Sequence, residues 1–191
     1  MTHSTSLATL ALACTALLAA APALAQQKLV PGQSEIAFVS KQMGVPVEGK
    51  FTRFDAQVAF DPARPATSKV AFTVDTGSAT LGVKESDAEL PKPAWFNVPR
   101  FPQATFQSTA IKAVGPGKYE VAGKLGIKGA AQDVVVPVTL TQSGATTVAT
   151  GAFAIKRLAF KIGENEWADT SMVADEVQVR FRLALTGVGK L

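Results

Sequence analysis

Val177-Gln178-Val179-Arg180-Phe181-Arg182-Leu183-Ala184-Leu185-Thr186 is the stretch that decides the fold of this chain. Val177, Val179, Phe181, Leu183 and Leu185 occupy every second position, with Gln178, Arg180, Arg182 and Thr186 between them. Successive side chains of an extended strand point to opposite faces, so this period makes one apolar and one polar face. The same pattern recurs upstream. Tyr119, Val121, Gly123, Leu125 and Ile127 alternate with Lys118, Glu120, Lys124 and Lys128. Val70, Phe72 and Val74 alternate with Lys69, Ala71, Thr73 and Asp75. Weaker alternation predicts further strands over 35–42, 45–60, 103–112, 133–141 and 146–156. The second of these is long. Thr52-Arg53 shifts its alternation between Phe51 and Phe54, as a β-bulge does.

Gly and Pro punctuate the joins. Gly115-Pro116-Gly117 and Gly144 read as hairpin turns, and 61–65 and 129–132 as connections. The result is roughly eight strands with mostly short links, an all-β antiparallel pattern of a barrel or sandwich. A barrel is favoured because closure leaves no unpaired strand edge. Residues 76–101 break the pattern. They are rich in Pro and polar residues, and they carry the apolar pair Trp95-Phe96. Ser86 and Glu89 form a capping-box pattern that predicts a short helix over 84–90, stopped by Pro91-Lys92-Pro93. A connection this long is functional or disordered in a compact domain, and its aromatics argue against disorder.

The first 25 residues read as a cleavable secretory leader. A polar start is followed by an Ala- and Leu-rich run from Leu7, then Pro22 and Ala23-Leu24-Ala25. Small residues at Ala23 and Ala25 place cleavage before Gln26, so the domain is expected over 26–191 and in the periplasm. The leader carries no Lys or Arg. Cys14 offers a lipidation site, but it lies inside the apolar run with no linker after it. The only cysteine, Cys14, and the only histidine, His3, both lie in the leader. The remainder can form no disulfide, and it has no later run long enough for a membrane helix.

Those absences narrow the chemistry. Without His or Cys there is no His-containing triad, no thiol nucleophile, and no ordinary zinc or haem ligation. No cofactor and no metal site is expected. The net charge is only +4, with 19 basic residues scattered among 15 acids, so no nucleic-acid face is expected. Glu164, Glu166 and Asp169 cluster in sequence around Trp167, which keeps an enzyme acting on a lipid or glycan as one alternative. A barrel packed solid and used as an interaction module is another. All 11 Phe lie after the leader, and Phe gives apolar area without polar demands. They could line a lipid cavity or fill an ordinary core.

An ordered set of short stretches resembles the YceI-like family. Ser34-Glu35-Ile36-Ala37-Phe38, Val47-Glu48-Gly49-Lys50-Phe51 and Phe54 resemble its opening. Trp95-Phe96-Asn97, Phe101-Pro102-Gln103-Ala104-Thr105-Phe106 and Tyr119-Glu120-Val121-Ala122-Gly123-Lys124-Leu125 follow in order. Lys156-Arg157-Leu158, Phe160, Ile162-Gly163, Trp167 and Val177-Gln178-Val179 complete it. The chain departs from many members at Lys41-Gln42-Met43-Gly44, at Gly129-Ala130-Ala131 and at Ala159. The resemblance implies a lipocalin-like barrel, an export signal, and an elongated cavity for a polyisoprenoid or similar fatty amphiphile. It implies no catalytic residue.

The expected ligand-binding set is Phe38, Phe51, Trp95, Phe96, Phe106, Arg157 and Trp167. Phe38, Phe51 and Phe106 are expected to face inward. Trp95 and Phe96 either cap the barrel mouth or plug its base. Arg157 either holds a phosphate head group with its guanidinium fork or pairs with a nearby acid. Trp167 either flanks the ligand path or anchors a loop. A homodimer is left open.

Overall fold

A computed structural model describes residues 26–191. The expectations for a leader, its cleavage and Cys14 lie outside the described residues. Eleven strands and one short α-helix follow one another in these residues. In chain order they are β1 (Lys28–Leu29), β2 (Glu35–Gln42), β3 (Val45–Phe51), β4 (Phe54–Ala59), β5 (Lys69–Asp75), β6 (Ala79–Thr80), α1 (Lys84–Glu89), β7 (Gln103–Gly115), β8 (Lys118–Ile127), β9 (Ala130–Ser143), β10 (Thr146–Lys156) and β11 (Glu176–Thr186). All pair antiparallel in a single curled sheet of order β4-β5-β7-β8-β9-β10-β11-β2-β3-β6, with β1 added to β11. The fold is the expected all-β, lipocalin-like barrel with one short helix in its long connection.

The strand count exceeds eight for identifiable reasons. β1 and β6 are two-residue additions, and the long strand over 45–60 is really two. Thr52-Arg53 is not a bulge within one ladder. It is a corner: β3 before it pairs with β2, and β4 after it pairs with β5. β3 and β4 therefore stand at opposite ends of the sheet, β3 followed only by the two-residue β6, yet are one continuous piece of chain, and the corner brings the two ends of the curl together. Ser78 pins the corner. Its carbonyl accepts from Thr52 N at 3.2 Å, and its hydroxyl from Arg53 N at 3.0 Å. A second tie lies near the other end of β4. The Gln27 side-chain amide accepts from Phe60 N at 2.9 Å and donates to Phe60 O at 2.7 Å.

The hairpins follow the turn chemistry. Pro116-Gly117 joins β7 to β8 and Gly144-Ala145 joins β9 to β10, with Gly117 and Gly144 at φ of +64° and +58°. The connection expected over 129–132 is shorter than that. Only Lys128-Gly129 turns, and β9 begins at Ala130 because Ala130 and Ala131 pair with Ile127 and Gly126. The helix over 84–90 forms, but not through the expected capping box. Val83 precedes it without a side-chain cap, and Ser86 lies inside it. Asp87 ties the helix to the segment before it: it accepts from Leu81 N at 2.5 Å and from Thr80 Oγ1 at 2.6 Å.

Two clusters of buried side chains sit toward opposite ends of the barrel. One gathers Phe60, Ile111, Tyr119, Leu140, Ala149 and Leu183 near the β7–β8 hairpin, with the Phe60 and Tyr119 rings edge to face at 5.1 Å. The other gathers Leu90, Phe96, Ala104, Ile127, Phe160 and Ile162 under the long connections. Between them the barrel is hollow.

Candidate functional site

The inward faces of the strands enclose an apolar cavity of about 320 Å³. That lies at the small end of the range of roughly 300–1,000 Å³ typical of ligand sites. The alternation read from the sequence puts its wall in place: Val177, Val179, Phe181, Leu183 and Leu185 of β11 all line it. Near the β7–β8 hairpin the buried side chains of Tyr119, Leu140 and Thr147 close one end. At the other end it runs out to Gln42, Ser86 and Glu89, which are half-exposed. The cavity meets the surface there, between the β2–β3 hairpin and α1.

The sequence did not reveal why the interior stays open. Phe38, Phe106 and Phe181 are bulky and inward, yet each lies flat against the wall. Each ring covers a glycine on the neighbouring strand: Phe38 covers Gly49, Phe106 covers Gly123 and Phe181 covers Gly151. A Cβ at any of the three would collide with the ring. Each glycine stands at an inward position, between Val47 and Phe51, Val121 and Leu125, and Ala149 and Phe153 respectively. Glycine in a strand interior often marks such a close approach. The inward period of 2 contained this signal, because a glycine in an apolar row leaves room for a neighbour.

All seven expected site residues line the cavity. Phe38 and Phe51 touch at 5.5 Å between ring centroids, and Phe51 meets Phe96 edge-on at 5.8 Å. Phe106 lies across the barrel over Gly123. Trp95 and Trp167, 72 residues apart in the chain, stack at 5.5 Å with a 48° tilt. Phe96 is buried in the second cluster, whereas Trp95 is half-buried. The Trp95 Nε1–H is buried with no hydrogen-bond partner.

Arg157 departs from both expectations. It is 2 % exposed, and its guanidinium meets neither a phosphate-facing surface nor an acid. All five of its N–H donors go to backbone carbonyls. Nε donates to Ala174 O at 3.1 Å. Nη1 donates to Ile162 O and Gly163 O, both at 2.9 Å. Nη2 donates to Trp167 O and Val173 O, both at 2.7 Å. Guanidinium has five donors, so none is left for a head group. Desolvation pulls its pKa down, and the Asp175 carboxylate opposes that. The residue is the hub on which 162–174 folds. Gly163, at φ +75°, is required there because a Cβ would strike Arg157 Nη1.

Lys128 is a second buried cation that the sequence reading assigned to a polar strand face. Its Nζ donates to Pro93 O and Lys161 O, both at 2.6 Å, and pairs with Glu164 Oε2 at 2.9 Å. Gly163 N and Glu164 N both donate to Ala94 O, at 2.8 and 2.9 Å. These bonds join the connection carrying Trp95 to the loop carrying Trp167 and so bring the two indoles together.

The acidic loop is dispersed by the same bonds. Glu164 is held by Lys128. Asp169 accepts from Ser171 N at 2.8 Å and Ser171 Oγ at 2.7 Å, bonds that hold its carboxyl below the usual range. Glu166 is exposed, and none of the three lines the cavity. Among the described residues no three His, Cys, Asp or Glu side chains converge as a metal site would need.

Comparison with known proteins agrees with this architecture. Residues 27–185 match the YceI-like domain family. A UPF0312 protein of Azotobacter vinelandii is 32% identical over 143 residues, covering 73% of this chain and 74% of that protein. A UPF0312 protein of Yersinia pestis is 37% identical over 110 residues, 57% of each chain. Among solved structures, Burkholderia cenocepacia BcnA superposes with a TM-score of 0.79 at 49% identity, over 82% of this chain and 98% of that one. A polyisoprenoid binding domain from Saccharophagus degradans shares the fold at a TM-score of 0.67 and 16% identity, over 84% and 98%. The barrel, the ordered landmarks along it and these matches lead to one conclusion: the chain belongs to the YceI-like family.

Proposed function

We propose that this protein is an exported, periplasmic carrier that holds the hydrocarbon chain of a polyisoprenoid or similar long-chain amphiphile inside the barrel. The observation that carries this reading is the apolar cavity kept open by Phe rings lying on glycines. A barrel evolved only as a packed module has no use for three inward glycines that cost strand stability. The walls offer apolar area, worth about 25 cal/mol per Å² removed from water. No cation in the lining has a donor to spare, and the half-exposed polar groups stand at the open end. The name of the Saccharophagus degradans domain, polyisoprenoid binding, agrees with the same use of the fold. The dispersed acids favour holding a lipid over cleaving one.

Mass spectrometry of lipids extracted from protein purified from the periplasm identifies the cargo directly. In parallel, added long-chain isoprenoid raises the melting temperature and short sugars do not. Ligand at 100 times its Kd stabilises the folded state by about 2.7 kcal/mol. Binding also changes tryptophan fluorescence, and Trp95→Phe removes most of that change. Purified protein that carries no lipid and ignores isoprenoids and fatty amphiphiles alike in both assays would end this reading.

A further inference from the structure

The mouth of the cavity is rimmed by side chains that folding does not explain. Seven large apolar residues among those described are well exposed, and four of them adjoin, in sequence or by strand pairing, residues that line this open end. Met43 is 77% exposed, Val45 63%, Val83 51% and Met172 46%. Met43 forms the β2–β3 turn with Gly44, just beyond the last paired residues, Gln42 and Val45. Met172 is its neighbour: Met43 N donates to Met172 O at 2.8 Å, and Gln42 bridges to Val173. Val83 leads into α1, whose Ser86 and Glu89 line the opening.

Met43 is the informative residue. Its φ is +47° and that of Gly44 is +81°. A two-residue turn of this hand favours Asn or Asp followed by Gly, because both positions are left-handed. An unbranched apolar side chain there costs stability and gains no packing. Lys128 occupies the matching place in the Lys128-Gly129 turn, at φ +49°, but its side chain is buried and makes three bonds in return. Met43 makes no such bonds and projects into solvent. The preference of methionine for adaptable apolar contacts suits a surface that meets something fluid.

We propose that Met43, Val45, Val83 and Met172 dock the mouth of the barrel on a phospholipid bilayer, so that cargo passes between membrane and cavity without crossing water. This rests on reading the cavity as a lipid site. The rim is continuous with the cavity wall, and an isoprenoid that fits the wall is dissolved in membrane and nowhere else at useful concentration. Exposed charges beside the rim are mixed, with Lys41 and Lys84 against Glu48 and Glu85. Docking therefore acts through shallow apolar insertion and is insensitive to salt and to anionic lipid.

The test is the variant Met43→Asn with Met172→Ser. Asn suits the left-handed turn, so this protein melts no lower than wild type, and loss of fold cannot account for loss of transfer. Uptake of a long-chain isoprenoid from phosphatidylcholine vesicles slows by about tenfold or more, since two methionine side chains no longer leave water. The affinity for the same isoprenoid delivered from dilute detergent changes by less than about twofold. Uptake from vesicles at the wild-type rate overturns the proposal. So does sedimentation showing a wild-type dimer that the variant converts to monomer, because the rim is then an interface between copies. Wild-type protein that binds isoprenoid by neither route defeats the cavity reading itself.

Discussion

Replacing Arg157 by Met removes the hub of the second loop while keeping much of the side chain's apolar length. Five carbonyls, those of Ile162, Gly163, Trp167, Val173 and Ala174, lose their donor at once. Hydrogen bonds to a charged group contribute roughly 1.5–3 kcal/mol each, but five made by one fork do not add. Without the guanidinium the folded state no longer carries the cost of burying its charge, several kcal/mol, and this offsets part of the loss. The net expectation is a destabilisation of about 3–5 kcal/mol, the usual scale for breaking a buried charged network from one side. At roughly 2–4 °C per kcal/mol for a domain of this size, the melting temperature falls by about 6–20 °C. Urea unfolding followed by tryptophan fluorescence measures the change. Arg157→Lys recovers only part of it, because an ammonium has three donors and no planar fork. If the loop detaches without global unfolding, limited proteolysis finds new cleavage between residues 160 and 175. An Arg157→Met protein within about 1 kcal/mol of wild type, with no new cleavage, would refute the hub role.

Gly163→Ala places a Cβ against Arg157 Nη1 at a positive φ, so it destabilises by about 1–3 kcal/mol. Its cost shrinks in an Arg157→Met background, and a double-mutant cycle showing full additivity would remove the coupling. Gly49→Ala meets only side-chain atoms, those of Phe38 and Leu81. It tips the Phe38 ring into the cavity and weakens isoprenoid binding by about tenfold at a stability cost of about 1–3 kcal/mol; calorimetric binding equal to wild type would mean the ring has another way out. Asp61 and Asp169 both have lowered pKa values, Asp61 through its Arg64 hydrogen bond and Asp169 through Ser171. Their stabilising contributions are present above the unfolded value of about 3.9 and are lost as pH falls below it through the lower folded values. The stability gap between wild type and an Asp61→Asn, Asp169→Asn double variant therefore narrows on acidification below pH of about 4; urea midpoints with a constant gap across that range would contradict it.

The alternation in β5, β8 and β11 was enough to fix those strands and their inward faces. Period 2 is a local property of extended chain, and burial of one face locks it. Turn residues such as Gly115-Pro116-Gly117 were equally legible, because the φ they need is set within a few residues. The weaker strand over 103–112 shows where the pattern runs out. β7 changes register between Ser108 and Ala110, so Phe106 and Ile111, five apart, both face inward. At Thr52-Arg53 the sequence signalled an irregularity but not its kind. Whether a shifted alternation is a bulge or a change of partner strand depends on Ser78, 25 residues away. Neither a head-group or acid partner for Arg157 nor a polar strand face for Lys128 anticipates their burial, because composition and spacing cannot say that distant carbonyls will surround them. Their partners come from segments that meet only when the barrel closes. The open interior belongs to the same class. Eleven Phe residues are compatible with a solid core or a cavity, and the choice was made by three glycines on neighbouring strands that let Phe38, Phe106 and Phe181 lie flat. By itself the sequence determined the strands and their faces, since these are set by neighbours in the chain. The tertiary structure decided which strands meet, which charges are buried and whether the barrel is hollow, since these are set by neighbours in space.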